Sequence, residues 1–264
     1  MKTSIQDVID KLTEPVALLD HTVDKLESGV PYTEVEGIII TFMVTHNVLQ
    51  QAIEMGANLI ITHEGSFYSH HGRTDWLENN PVYLEKHRLI EESGVAIYRF
   101  HDYLHRYQPD GIAEGLVKAL GWNKYVEENQ PAASILAMPS ITVKEMAETM
   151  KRKLSIPYVR VVGDMSITCT RVGLLVGYRG GGQQAIPLFE EENLDLIILG
   201  EGPEWETPEY VRDAVYQGRQ KALIILGHAA SEEPGMNYLA ELVKGYFPTI
   251  SVNFIPEQQA FQVI

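Results

Sequence analysis

The sequence predicts an α/β fold made of two similar βαβ-based halves with a small α+β unit between them. Three observations predict it. Apolar runs of strand length alternate with segments whose apolar residues fall at helical spacing. The same strand, helix, strand pattern occurs twice, over 37–65 and again over 172–202. Between these repeats, residues 122–170 change character. The expected organisation is a first half over 1–121, a middle segment over 122–170, and a second half over 171–264 that packs with the first. A chain of 264 residues has room for this.

Taken in order, residues 1–26 read as a helix that Ser4 or Thr3 can cap, then an irregular stretch. EGIIITFMV (36–44) is a β-rich apolar run, THNVLQQAIEMGA (45–57) a helix ending near Gly56, and NLIITHEG (58–65) a second strand stopping in polar residues. So compact a pattern suggests a right-handed βαβ unit. A polar loop (66–81) leads to a helix (82–94) closed by Gly94. VAIYRFHD (95–102) is a third strand, followed by a turn and a helix ending at Gly121. In the middle segment, TVKEMAETMKRKLS (142–155) is an amphipathic helix with Thr142 and Glu145 in capping-box spacing, flanked by short strands at 133–139 and 158–163. The first pattern then returns at 171–202, followed by a helix (208–220) and a strand, turn and helix (221–247).

Composition narrows the function classes. Hydrophobic residues make up 45% and charged residues 22%, so a packed globular fold is expected. The formal net charge of −15 opposes binding to phosphate backbones and argues against a nucleic-acid scaffold. An acidic chain can still take an anionic small-molecule substrate if bound metals reverse the local field. The single cysteine, Cys169, cannot form an internal disulfide, and the polar N-terminus has no apolar signal region. No run approaches the roughly 20 apolar residues needed to cross a bilayer. A cytoplasmic protein is expected.

The repeat also places the chemistry. Both βαβ units end in a strand followed by a carboxylate and a glycine, Glu64-Gly65 and Glu201-Gly202. The next strands also end alike, in His101-x-x-x-His105 and His228-x-x-x-Glu232. Ligands of open α/β sheets collect at the carboxyl ends of strands, and residues four apart on a helix share a face. His63, Glu64, His101, His105, His228 and Glu232 are therefore the expected metal ligands. Six such N and O donors suit two divalent cations such as Zn, Fe, Mn or Ni. Any one strand-end histidine is more often structural. Its recurrence at matching places in two repeats favours ligation. Glu201 is expected to act behind the ligands, and His70 and His71 to guard the site or meet an anionic substrate. Gly180-Gly181-Gly182 could cradle a phosphate at a helix N-terminus, but without GK[ST] a close-packed turn is the better reading.

These stretches, GANLIITHEG, GVAIYRFHDYLH with PDGIAEGL, GYRGGGQQAI, LDLIILGEG and LGHAASEEPGM, together resemble the Nif-three-like family of GTP cyclohydrolase I type two homologues, also described as dinuclear-metal-centre hexameric proteins. The resemblance implies two similar α/β halves, a dimetal site between them, and a toroidal hexamer. The family's paired histidines fall on His63 and Glu64, its His-x-x-x-Asp on His101 and His105, and its His-x-x-x-Glu on His228 and Glu232. Glu64 thus stands for a histidine and His105 for an aspartate, an exchange that preserves ligand count and charge. Asp102 is an alternative carboxylate donor. The family's Trp-Asp-Asn-type opening is missing near 17–29, and its second-half histidine pair is replaced near Glu204-Trp205. The implied function is a metal-dependent, cyclohydrolase-like hydrolase of a nucleotide or other small phosphate-bearing molecule. The competing expectations are a ring-shaped metal-binding scaffold that engages a partner protein, and metal storage.

Overall fold

Ser4 starts the first helix. Its hydroxyl accepts the Asp7 N–H at 3.2 Å, and the Asp7 carboxylate accepts the Ser4 N–H at 2.7 Å. This reciprocal cap satisfies two N–H groups that the first helical turn leaves unpaired. In the computed structural model, which describes residues 2–264, the chain then runs α1 (Ile5–Thr13), β1 (Lys25–Ser28), β2 (Gly37–Thr41), α2 (His46–Glu54), β3 (Leu59–Thr62), α3 (Pro81–Ser93), β4 (Ala96–Arg99), α4 (Asp102–His105) and α5 (Gly111–Leu120). It continues with β5 (Val126–Asn129), β6 (Ser134–Thr142), α6 (Val143–Leu154), β7 (Arg160–Val162), β8 (Thr168–Leu175), α7 (Gly182–Glu191), β9 (Leu196–Leu199), α8 (Thr207–Tyr216), β10 (Ala222–Ile225), α9 (His228–Tyr246) and β11 (Ser251–Phe254).

The chain divides into two units. One comprises the residues up to Gly111 together with Met236–Ala260; the other comprises Ile112–Gly235 and Phe261–Ile264. The first contains a five-stranded sheet ordered β1-β4-β3-β2-β11. Its four strands β4, β3, β2 and β11 are parallel, in the register Thr41 opposite Thr62 opposite Arg99. The second contains a six-stranded sheet ordered β5-β6-β8-β9-β10-β7, in which β8, β9 and β10 are parallel. Each unit therefore repeats one device, three parallel strands joined by two helices: β2-α2-β3-α3-β4 and β8-α7-β9-α8-β10. β2, β3, β4, β9 and β10 are buried along their whole length. That is why they read in the sequence as unbroken apolar runs, not alternating ones.

Each unit has its own core. Ile39, Ile60 and Ile97 from three neighbouring strands meet Val48, Leu49 and Ile90 from α2 and α3. In the second unit Ile135, Ile197 and Leu223 meet Phe189 and Val211 from α7 and α8. The Thr142–Glu145 capping box forms as expected, and Gly94 closes α3 with φ 66°. Two elements of the first sheet differ from the sequence reading. Residues 25–28 form an edge strand, antiparallel to β4 and bulged between Leu26 and Ser28, beginning where the stretch expected to be irregular ends. Residues 251–254 add the opposite edge by pairing with β2. Both are half exposed and carry no run of apolar residues, so what makes them strands is the neighbour they meet and not local preference. Among the described residues no helix is long and apolar enough to cross a membrane.

Candidate metal centre

Strand ends set the geometry in the first unit. β3 stops at Thr62, so His63 and Glu64 emerge at its carboxyl end, where both are buried. β4 stops at Arg99, and the chain turns at His101 into the single helical turn α4. So short a helix needs its N–H groups satisfied from outside. Asp24 does this, accepting from the N–H groups of His101, Asp102 and Tyr103 at 2.9, 2.7 and 3.1 Å. The turn puts His101 and His105 on one side, four residues apart. Their rings are 4.9 Å apart, and both lie near His63, at 4.4 Å in a stacked pair with His101 and at 5.0 Å with His105. One ligand nitrogen from each of the three lies within 4.8 Å of the others.

Carboxylates stand behind two of these rings. Asp102 Oδ1 is 2.9 Å from His101 Nδ1, and Asp110 Oδ2 is 3.0 Å from His105 Nδ1. The bond with His101, helped by the Val23 N–H and Thr22, holds the Asp102 carboxyl well below the usual carboxylate range despite partial burial. A carboxylate at Nδ1 fixes the tautomer and aims Nε2, as it does at metal-binding histidines. Asp102 is therefore a support for His101. The compact group of Asp24, His101 and Asp102 is a helix cap with a supported imidazole, because both carboxylates are committed to backbone N–H groups.

Glu64 has a different partner. Arg99, 1% exposed, donates from Nη2 to Glu64 Oε2 at 2.8 Å, from Nη1 to the His70 carbonyl at 2.5 Å and from Nε to the His63 carbonyl at 3.3 Å. Glu64 Oε1 lies 3.8 Å from His101 Nε2. His70 Nδ1 lies 3.1 Å from Arg99 Nη2 and 3.5 Å from Glu64, and Glu64, His70 and His101 form a second compact group. Burial pushes the His70 imidazole down, against the pull of Glu64. His71 is exposed, stands edge-on to His70 at 5.2 Å and joins no such group.

The loop carrying Glu64 is tied from two sides. Ser66 donates to Glu27 from its N–H at 3.1 Å and from its hydroxyl at 2.5 Å. Lys86 donates to the Ser66 carbonyl and lies over the rings of Phe67 and Tyr68. Burial lowers the Lys86 ammonium from 10.5 to about 8. Between those two values the unfolded chain holds the proton that the folded one has released, so stability rises with pH across that window and is penalised below it. The penalty is on the order of 3 kcal/mol. Lys86→Met is expected to remove that rise, read as the difference between urea unfolding free energies near pH 10 and below pH 8 in variant and parent; equal slopes in both would refute it. Lys86 also lines a 360 Å³ cavity with His46, Tyr68, Pro81, Val82 and Glu85, which contains none of the expected ligands.

In the second unit, β10 ends at Ile225 and α9 begins at His228. His228 Nε2 lies 3.1 Å from Glu232 Oε2 one turn on, and His228 Nδ1 lies 3.5 Å from Glu201 Oε1. Glu232 is buried. Gly177, with φ +60°, makes room for it: a Cβ there would run into the Glu232 carboxylate. The Gly177 N–H donates to Ser231 Oγ at 2.9 Å, which fixes the start of α9. At the glycine-rich turn, Glu206 accepts the Gly182 N–H at the start of α7, and Gly180 packs against the Gly202 backbone. A carboxylate already fills the place of a phosphate, so this turn is a packing device.

The expected ligands thus assemble in two sets, His63, Glu64, His101 and His105 in one unit and His228 with Glu232 in the other. Sequence reasoning missed Asp24, Arg99 and Asp110. Arg99 carried a signal, a lone charge inside the apolar run VAIYRF.

A family model described as Duf34/NIF3 (NGG1p interacting factor 3) matches residues 4–260. A Clostridium acetobutylicum relative, named GTP cyclohydrolase 1 type 2 homolog, is 24% identical over 83% of this chain and 80% of its own length. An Escherichia coli K12 relative of the same name is 24% identical over 90% and 91%. The crystal structure of Staphylococcus aureus SA1388 is similar in fold, with TM-score 0.80 at 20% identity over 100% of both chains. So is that of a Bacillus cereus protein related to NIF3, with TM-score 0.76 at 14% identity over 100% of this chain and 99% of that one.

Proposed function

We propose a function from the premise that this chain belongs to the Duf34/NIF3 family: it is a metal-dependent hydrolase of a nucleotide or other small phosphate-bearing molecule, holding two divalent first-row cations. One observation carries the reading. Three imidazoles crowd together with ligand nitrogens within 4.8 Å, and carboxylates hold the Nδ1 atoms of two of them. Protonated, such a cluster would repel itself. Neutral and aimed, it is a donor set for Zn, Fe, Mn or Ni.

His63, His101 and His105, with Glu64 beside them, are the first set of ligands; His228 and Glu232 are the second. A cation held there supplies Lewis acidity, polarising a substrate oxygen and making water acidic near neutral pH. The chain's own residues orient the donors. Asp102 and Asp110 hold the rings of His101 and His105, Arg99 holds Glu64, and Glu201 lies at Nδ1 of His228. The net charge of −15 makes cations the means of attracting an anionic substrate. The name shared by the relatives, GTP cyclohydrolase 1 type 2 homolog, supports a purine nucleotide as the first substrate to try. Assembly into a hexamer belongs to the same reading, and light scattering of the purified chain reads it.

Metal analysis of the purified protein is expected to give two divalent cations per chain, removable by chelator. Turnover of a panel of nucleotides and phosphoesters is expected only in the metal-loaded form, and His101→Ala is expected to lose both metal and turnover while staying folded. Metal-loaded protein that turns over nothing in the panel would leave the scaffold as the better reading.

A further inference from the structure

We infer that Asp110 and His105 act as one anionic ligand unit, with Asp110 as the positioning residue that makes an imidazole serve where a carboxylate would otherwise supply the charge. The inference rests on the metal-binding reading above.

Three observations lead to it. Asp110 Oδ2 sits 3.0 Å from His105 Nδ1, and the two side chains are only 9% and 12% exposed. So little water around the pair leaves the carboxylate to interact mainly with what it touches. The bond fixes the proton on Nδ1 and leaves Nε2 as the donor atom, on a ring that lies 5.0 Å from that of His63 and 4.9 Å from that of His101. Finally, His105 closes α4, a helix of one turn, and Asp110 precedes α5. The carboxylate therefore comes from the segment after the turn, and the ring is held from outside the helix that carries it. A carboxylate so little exposed, facing an imidazole, strengthens the imidazole as a donor and gives the unit a net negative charge, the electrostatic equivalent of a carboxylate ligand.

The consequence is specific. A carboxylate placed at 105 would face Asp110, whose side chain is only 9% exposed, and two like charges at that distance exclude each other. His105→Asp is therefore expected to lose metal in this chain, and removing the second charge is expected to restore it.

The full-length chain is titrated with Zn²⁺ or Co²⁺ alone against a competing chelator, with thermal unfolding of the metal-free protein as the control for folding. Asp110→Asn is expected to weaken binding by roughly 10- to 100-fold, with Asp110→Glu recovering part of the loss and the Co²⁺ absorption spectrum altered in the Asn variant. His105→Asp is expected to bind at least as weakly, and His105→Asp/Asp110→Asn at least tenfold more tightly than His105→Asp. A weakening of less than tenfold in Asp110→Asn, or a double variant no better than His105→Asp, overturns the inference. His105→Ala separates the two levels. If it binds metal as the parent does, the metal-binding reading of this cluster is what fails. If it loses metal while Asp110→Asn does not, only the role of Asp110 is lost.

Discussion

Arg99→Met is expected to destabilise the first unit by about 3–5 kcal/mol. Methionine fills much of the space of the arginine stem, so the loss is electrostatic and not steric. Arg99 lies inside β4, 1% exposed, and its guanidinium donates to Glu64, to the His63 carbonyl and to the His70 carbonyl. Without it, the Glu64 carboxylate is left near the sheet end with its main counter-charge gone. Removing one partner of a buried pair costs far more than removing both. Arg99→Met/Glu64→Gln should therefore recover most of the loss. Urea unfolding measures both variants. A single variant within about 1 kcal/mol of the parent would show that Glu64 does not depend on this guanidinium.

Gly177→Ala is expected to disable the second ligand set. The residue has φ +60°, which costs any residue with a Cβ about 1–2 kcal/mol. The added methyl would also occupy the place of the Glu232 carboxylate, and His228 Nε2 is next in line. Glu232 is buried, so its carboxylate has little room to step aside. We expect a total stability loss of about 2–4 kcal/mol and the loss of whatever metal His228 and Glu232 hold. Metal stoichiometry at a temperature where the variant is folded checks this. An unchanged stoichiometry would mean that Glu232 can relocate without cost to the site.

Much of this molecule could be read in advance because its central strands are buried on both faces. GIIIT, LIIT, LIIL and ALII announce themselves as apolar runs, and LIIT runs directly into His63-Glu64 and LIIL into Gly200-Glu201 where the strand stops. Strand ends are where side chains of α/β proteins converge, so His63, Glu64, His101 and His228 were legible as candidates from position alone. The capping box at Thr142 is a local signal, legible from Glu145 three residues on, whereas at the first helix the sequence offered Ser4 or Thr3 and the structure uses Ser4 with Asp7. What could not be read depends on partners distant in the chain. KLES and SVNF are strands only because β4 and β2 offer them edges. Asp24 is a helix cap for a turn that begins at His101. Asp110 matters through a ring five residues back, across a bend whose shape the sequence does not announce.

The last strand of the first sheet, β11, has a consequence for biosynthesis. All six strands of the second unit's sheet lie within one continuous stretch, Ile112–Gly235. The first unit has β1 to β4 translated before that stretch, but its sheet must wait for Ser251–Phe254 to reach β2. On the ribosome, the inserted unit can thus complete its sheet while its host still exposes an open parallel edge. A nascent chain arrested after Gly235 carries that uncovered edge, a surface for chaperones to shield until Ser251–Phe254 emerge.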